Sequence, residues 1–345
     1  MGLISRQYPT VELTDDHLDT PDPQGQLVRI RPYKETDGIL DGAEFVRGLW
    51  SMQTPTTSSL ELWSGPDQID LIMMVEDPQE LRNHVAQIYP GSSVELFEGG
   101  PLPAFEPGDY LAGATLGLEE DCALPLKHLE TKNALSKDPY RQLLRAIGGE
   151  ESDRSFVQIA FKPVGKRWYR RGLMGKLMSS TGDDLAHSFR QGELVGEVEP
   201  RVVKTDRGRR AAKDIESQAG KAAFETRIRV FSAAPSKRQA AERAEKIVDS
   251  FGEYRNMDTY QSFDPDPVGK RRLKLALEAA AWRSVARQHR ALRALRGDRQ
   301  VLTDDELGAL CHLPTEAVGG EWIDWKLSKP GSDVPSAIES KIQFD

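Results

Sequence analysis

Reactive side chains are thinly spread along this chain, and none of the familiar spacings is complete. A nucleotide-binding loop needs G-x-x-x-x-G-K-[ST], because backbone amides must wrap phosphates while a hydroxyl reaches magnesium. The nearest stretch, Gly172-Leu173-Met174-Gly175-Lys176-Leu177, is too short between its glycines and carries leucine where the hydroxyl belongs. Gly165-Lys166 and Gly269-Lys270 match less well. The six histidines (His17, His84, His128, His187, His289, His312) never stand four apart or beside a cysteine pair; only Cys311 and His312 adjoin. That pattern lacks zinc-ligand spacing. Cys122 and Cys311 form no CxxC and read as buried, reduced thiols. Asp183-Asp184 and Glu119-Glu120-Asp121 suit helix caps or solvent, and no Ser, Cys or Thr sits in a nucleophile-elbow context. The expectation is a chain with no catalytic, metal or cofactor-binding residues, unable to hydrolyse ATP alone.

Cationic surface is what the sequence does offer. Val268 to Gly297 reads as one long helix, with Leu273, Leu277, Ala281, Val285, Leu292 and Leu295 along its apolar side. Arg271, Arg272, Lys274, Arg283, Arg287, Arg290, Arg293 and Arg296 cover the rest and are the candidate contacts for nucleic-acid phosphates, lipid headgroups or an acidic partner. The plain alternative is the solvated face of a packed helix. Residues 164–222 form a second basic stretch, with Lys166, Arg167, Arg170, Arg171, Lys204, Arg207, Arg209, Arg210 and Lys213. Trp168, Leu173, Met174, Leu177 and Met178 give it an apolar side that can lie on a membrane or partner, or simply cover its parent domain.

The elements that would carry these groups follow from periodicity. Leu27 to Pro32 alternates like a strand, Gly42 to Met52 has a helical apolar face, and Leu60–Trp63 turns through Ser64-Gly65-Pro66-Asp67 into Ile69–Val75. Asp77 with Pro78 and Glu80 starts a helix that Tyr89-Pro90-Gly91 stops, and Val94 and Leu96 begin another strand. The order β-α-β-β-α-β is the split, ferredoxin-like arrangement. It recurs as Tyr110–Leu118, Asp138–Ile147, Phe156–Pro163, Ala223–Ser232, a helix capped by Ser236, and Thr259–Phe263. The expected fold is therefore α+β, with two ferredoxin-like units bearing antiparallel sheets plus a long C-terminal helix. In order the parts are a disordered or draped tail (1–26), unit one (27–105), unit two (106–265) with its basic insertion, the basic helix and a short helix capped by Thr303 (266–314), and a proline-containing linker (315–345).

A length of 345 residues supports two modest cores or one large one, and 29% charged residues imply a heavily solvated surface. No run is long and apolar enough to span a bilayer, and the N-terminus lacks the pattern of a signal peptide, so a cytoplasmic location is expected. A formal charge of −8 weighs mildly against a dedicated nucleic-acid binder.

Several segments together carry a resemblance. Leu60-Glu61-Leu62-Trp63, the Ile69–Met74 strand, Ile88-Tyr89-Pro90, Val157-Gln158-Ile159 with Pro163 and Trp168, and Arg227-Ile228-Arg229-Val230 stand in an order similar to the N-terminal region of conjugative-transfer ATPases. These are the VirB/TraC-type motors of type IV secretion, in the FtsK and HerA superfamily, especially archaeal members. Leu302 to Pro314, followed by Trp325, resembles the segment that leads into the motor. The resemblance implies a non-catalytic docking and assembly module. Its implied partners are a hexameric P-loop ATPase, on the same polypeptide or as a separate chain, membrane components of a secretion apparatus, and DNA, with homo-oligomerisation and a peripheral position at the inner membrane face. The alternative is a nucleic-acid-binding module using the Arg-rich helix 268–297.

Overall fold

The computed structural model describes residues 8–34, 39–52, 57–65, 68–129, 135, 138–148, 154–165, 168, 182–195, 201–286, 300–315, 318 and 322–326. The strands are β1 (Val11–Glu12), β2 (Gln26–Arg31), β3 (Ser58–Ser64), β4 (Ile69–Val75), β5 (Ser93–Leu96), β6 (Tyr110–Leu118), β7 (Arg154–Val164), β8 (Glu193–Val195), β9 (Arg201–Val203), β10 (Ala223–Ala234), β11 (Phe263–Pro267) and β12 (Val301–Thr303). The helices are α1 (Asp15–Leu18), α2 (Gly42–Ser51), α3 (Pro78–Ile88), α4 (Tyr140–Ile147), α5 (Gly182–Gln191), α6 (Asp206–Ser217), α7 (Lys237–Ser250), α8 (Leu273–Ala281) and α9 (Asp304–Leu310).

Ten of the strands form one antiparallel sheet, in the order β5-β2-β4-β3-β7-β10-β6, with β1 and β11 both on the far side of β6 and β12 beside the start of β10. The β8–β9 hairpin stands apart. This overturns the expectation of two separate ferredoxin-like units, and with it the paired-unit architecture that the VirB/TraC-like description carried. Pairing continues across the supposed boundary, from Ser58 opposite Phe161 to Trp63 opposite Phe156. The reason is burial. β3 and β7 are buried on both faces through most of their length, and an open edge on either would leave unpaired backbone and exposed side chains that pairing removes.

Each face of the sheet carries its own core. On one side Leu60, Leu62, Val157, Ile159, Ile228 and Val230 meet the buried sides of α2, α3, α4, α7 and α9. On the other, Trp63, Ile72, Met74, Phe156 and Phe231 meet Leu273, Ala276, Leu277, Ala280 and Ala281 of α8. The period of two along each strand assigns these sets to opposite faces. The expected draped tail contributes to the second core: β1 pairs with β6, Leu13 is buried, and Asp16 of α1 is ion-paired to Lys274.

Local signals act as the sequence suggests at several starts. Asp77 Oδ1 accepts from the amides of Gln79 (2.8 Å) and Glu80 (3.1 Å) at α3, and Ser236 Oγ accepts from Gln239 N (3.2 Å) at α7. The last strand of the second half lies later than expected, at Phe263–Pro267, where Pro265 and Pro267 suit an edge position. The single helix expected over Val268–Gly297 is not continuous: a 3-10 turn over Lys270–Arg272 precedes α8, and the helix ends at Ala281. From the expected linker, Trp322–Lys326 is docked onto the first half, with Ile69 N donating to Trp322 O (2.5 Å) and Lys326 N to Pro32 O (3.0 Å).

α9 lies on α2 at a crossing built for small residues. A Cβ on Gly42 would stand 2.3 Å from Gly308 O, and one on Gly308 2.4 Å from Ala43 N, so neither position accommodates a side chain without separating the helices. The start of α9 is a buried capping box: Glu306 accepts from Thr303 N (2.9 Å), Thr303 Oγ1 (2.8 Å) and Leu126 N (2.8 Å). Burial raises its carboxyl from 4.5 to about 7, against those hydrogen bonds. A carboxyl raised in the folded state binds more protons there than in the unfolded chain between these values, so its contribution is full below about 4.5 and lost as pH rises through about 7. Denaturant titrations across that window should show the wild-type chain losing stability with rising pH relative to Glu306→Gln; parallel curves would contradict the assignment.

Candidate functional site

Three neighbouring strands each place one buried polar residue at the same level of one face. Glu61 of β3 lies opposite Gln158 of β7, which lies opposite Arg229 of β10. Two residues along the same strands, Trp63, Phe156 and Phe231 form a parallel aromatic row, with ring centroids 6.0 and 6.2 Å apart. α8 crosses both rows. Its alanines allow close approach, and its C-terminal end falls on the polar row.

The end of α8 explains why that row is charged. Ser284 N donates to Ala279 O (2.9 Å) and Arg283 N to Ala280 O (3.0 Å), the paired bonds of a Schellman motif. The position that this motif usually gives to glycine is held by Arg283, at φ 53°. Such a conformation costs a non-glycine residue on the order of 1–2 kcal/mol. Its side chain returns under the helix and binds Glu61 through two bonds, Nε to Oε1 (2.9 Å) and Nη2 to Oε2 (3.1 Å), with both residues buried.

Glu61 is saturated. Beyond Arg283, its Oε1 accepts from Ser59 Oγ (2.6 Å) and Gln158 Nε2 (3.0 Å), and its Oε2 from Trp63 Nε1 (2.8 Å). Gln158 Nε2 also donates to Ala280 O (2.8 Å), while its Oε1 accepts from Arg229 Nη1 (2.7 Å). Arg229 donates further to Ser284 O, and Arg283 Nη1 to Ala281 O (2.5 Å). Two guanidinium groups against one carboxylate leave an excess positive charge, placed where the helix turns its partly negative carbonyl end. Burial draws the Arg229 guanidinium down to about 9; Arg227 and Arg283 add to the shift and Glu61 opposes it. It remains protonated at neutral pH. A carboxylate accepting five hydrogen bonds has no lone pair aimed at a substrate, so the chemistry here is anchoring.

Among the described residues, three of the sequence-predicted contacts are ion-paired and one is exposed. Arg272 is bound to Asp266 through Nη1 (2.9 Å) and Nη2 (3.3 Å), Lys274 to Asp16, and Arg283 to Glu61 beneath the helix. Arg271 is exposed. Arg287, Arg290, Arg293 and Arg296 lie outside the described residues. Two large apolar side chains are exposed on α8, Leu275 at 50% and Trp282 at 48%, seven residues apart and so on one side, with the partly exposed Glu278 between them. The Cys311-His312 pair lies on the opposite side of the sheet. His312 Nε2 bonds Asp138 Oδ1 (2.9 Å), its ring stacks on Tyr140 (4.1 Å), and burial pushes the Cys311 thiol up.

Glu61, Gln158 and Arg229 escaped the motif reading because they are far apart in sequence. The signal that could have found two of them is a charged or amide side chain between apolar neighbours, as in Leu60-Glu61-Leu62 and Val157-Gln158-Ile159.

Arg283→Gly should test the anchor cleanly, since glycine keeps the left-handed backbone while stranding Glu61. The expected loss of folding free energy is about 3 kcal/mol or more by urea denaturation, the scale of a broken buried pair. Adding Glu61→Gln should restore a large part of it; a double variant no more stable than the single one would show that the pair does not act as an anchor.

No curated protein matches the chain. A family model described as a domain of unknown function, DUF8128, matches residues 4–326 and thereby spans all of the elements above. The chain belongs to the DUF8128 family.

Proposed function

We propose that this chain is a non-catalytic docking and assembly module, which joins a P-loop ATPase motor to a membrane-associated transfer apparatus from its cytoplasmic side. The observation that carries the reading is the mounting of α8. Arg272–Asp266 and Lys274–Asp16 fix its beginning, Arg283–Glu61 fixes its end, and the result is a rigid helix presenting Leu275 and Trp282 outward. Pre-organised apolar side chains with one large aromatic are the usual source of binding energy at protein interfaces, because little entropy is lost when they are covered.

The choice of a motor as partner rests on a resemblance in segment order to conjugative-transfer ATPases, at Leu60–Trp63, Val157–Ile159 and Leu302–Pro314. Among the described residues no helix is long and apolar enough to cross a membrane, so contact with a membrane apparatus is proposed as peripheral. The nucleic-acid alternative has less support, since Arg272, Lys274 and Arg283 already have carboxylate partners.

Affinity capture from the native host should enrich a P-loop ATPase with the wild-type chain. A Leu275→Asp, Trp282→Asp variant, shown to be folded by its unfolding midpoint, should lose that enrichment. Recovery of the same ATPase by both chains, or by neither, would contradict the proposal.

A further inference from the structure

The segment Trp322-Ile323-Asp324-Trp325-Lys326 crosses the end of the β2–β4 pair like a short added strand. β2 stops at Arg31, and Pro32, which has no N–H, cannot carry the ladder with β4 further. The segment takes up main-chain groups that the ladder leaves open. Ile69 N donates to Trp322 O (2.5 Å) and Lys326 N to Pro32 O (3.0 Å), and single bridges pair Ile323 with Ile69 and Lys326 with Tyr33.

Its side chains alternate as those of a strand do. Ile323 and Trp325 enter the core that Ile30 and Ile69 line. Asp324, between them, turns to the opposite face, where Arg31 Nε binds it at 2.6 Å. Arg31 also meets Glu95, at the longer distance of 3.2 Å, while the neighbouring Asp70 is held by Arg29. The Asp324 bond is the largest influence raising Arg31 above the ordinary guanidinium value, ahead of Glu95 and Asp70. Trp322 lies against the backbone of Gly148, where a Cβ would stand 3.1 Å from the ring. Main-chain bonds to an open strand, an apolar socket for alternate side chains and one charge that fixes register are the means by which sheets accept extended peptides.

The fastening is light. Among the described residues two main-chain bonds join the segment to the sheet, Arg31 and Asp324 keep 35% and 26% of their side-chain surface in water, and Trp322 is 39% exposed. Partly exposed ion pairs add little, and short segments held by few bonds open without the rest of the molecule. β4, by contrast, is paired on both sides, with β2 and β3, and does not need the segment to stay formed.

We propose that Arg31, Pro32 and Ile69 form a strand-accepting seat for an extended segment of the pattern aliphatic, acidic, aromatic, and that residues 322–326 fill it in cis as a releasable strap. The seat shares no residue with α8, so it stands or falls independently of the docking face formed by Leu275 and Trp282.

Hydrogen exchange of the full chain tests release. The amide protons of Ile69 and Lys326 should exchange together, at least about a hundredfold faster than those of Leu71 and Met73 and with little dependence on urea. Recognition is read from the fluorescence anisotropy of a labelled peptide with the sequence of residues 321–327, added to the full chain carrying Ile323→Ser, Trp325→Ser. It should bind that variant at least about tenfold more tightly than the wild-type chain, whose own strap competes at high effective concentration. A peptide with lysine in place of the aspartate should bind at least about fivefold more weakly, and adding Arg31→Glu to the variant should reverse that order. Exchange of Ile69 and Lys326 only with global unfolding, loss of the fold in the strap variant, equal binding by variant and wild type, binding to neither, or indifference to the exchanged charges would overturn the proposal.

Discussion

The carboxylate of Glu61, buried halfway along β3, is the interaction on which the rest of the structure depends. It sits where the two halves of the sheet are joined, and it binds the residue that ends the helix crossing that junction. A charge in such a place is costly unless every lone pair is used, and Ser59, Trp63, Gln158 and Arg283 use them. Any shift of β7 by one residue would turn Gln158 to the other face and leave Glu61 short of a donor. The buried polar row therefore fixes register as well as holding the helix.

Large sheets create edges, and this one manages both. At one end Arg82 reaches from α3 to Val94 O of β5, occupying a carbonyl that a further strand would otherwise claim. At the other, Pro265 and Pro267 remove donors from β11. Self-pairing through strands is thereby discouraged at both edges.

Much of the local structure was legible in the sequence, because it is governed by neighbours a few residues apart. Asp77, Ser236 and Thr303 cap helices as their types and spacing indicate, and the segments Ile69–Val75 and Tyr110–Leu118 are strands with those bounds. What stayed hidden was set by distant partners. The joining of two halves into one sheet depends on β3 meeting β7 nearly a hundred residues later. The end of α8 is hidden for a different reason: its left-handed terminator is an arginine, which carries no stop signal, so the helical periodicity reads on to Gly297. Arg283, counted among the surface cations, is in fact fully buried, on a partner that stands 222 positions earlier. Charge density along a sequence does not distinguish a cation facing water from one that holds a helix to a sheet.

The central claim is that the two halves and α8 form one cooperative body locked at the β3–β7 junction. Hydrogen exchange of the full chain in sub-denaturing urea addresses it directly. Amides of Ser58–Ser64, Arg154–Val164 and Leu273–Ala281 should open together, with the same free energy and the same urea dependence as global unfolding. Separate opening of the two halves at different urea concentrations, or exchange of α8 amides long before those of the junction strands, would contradict it.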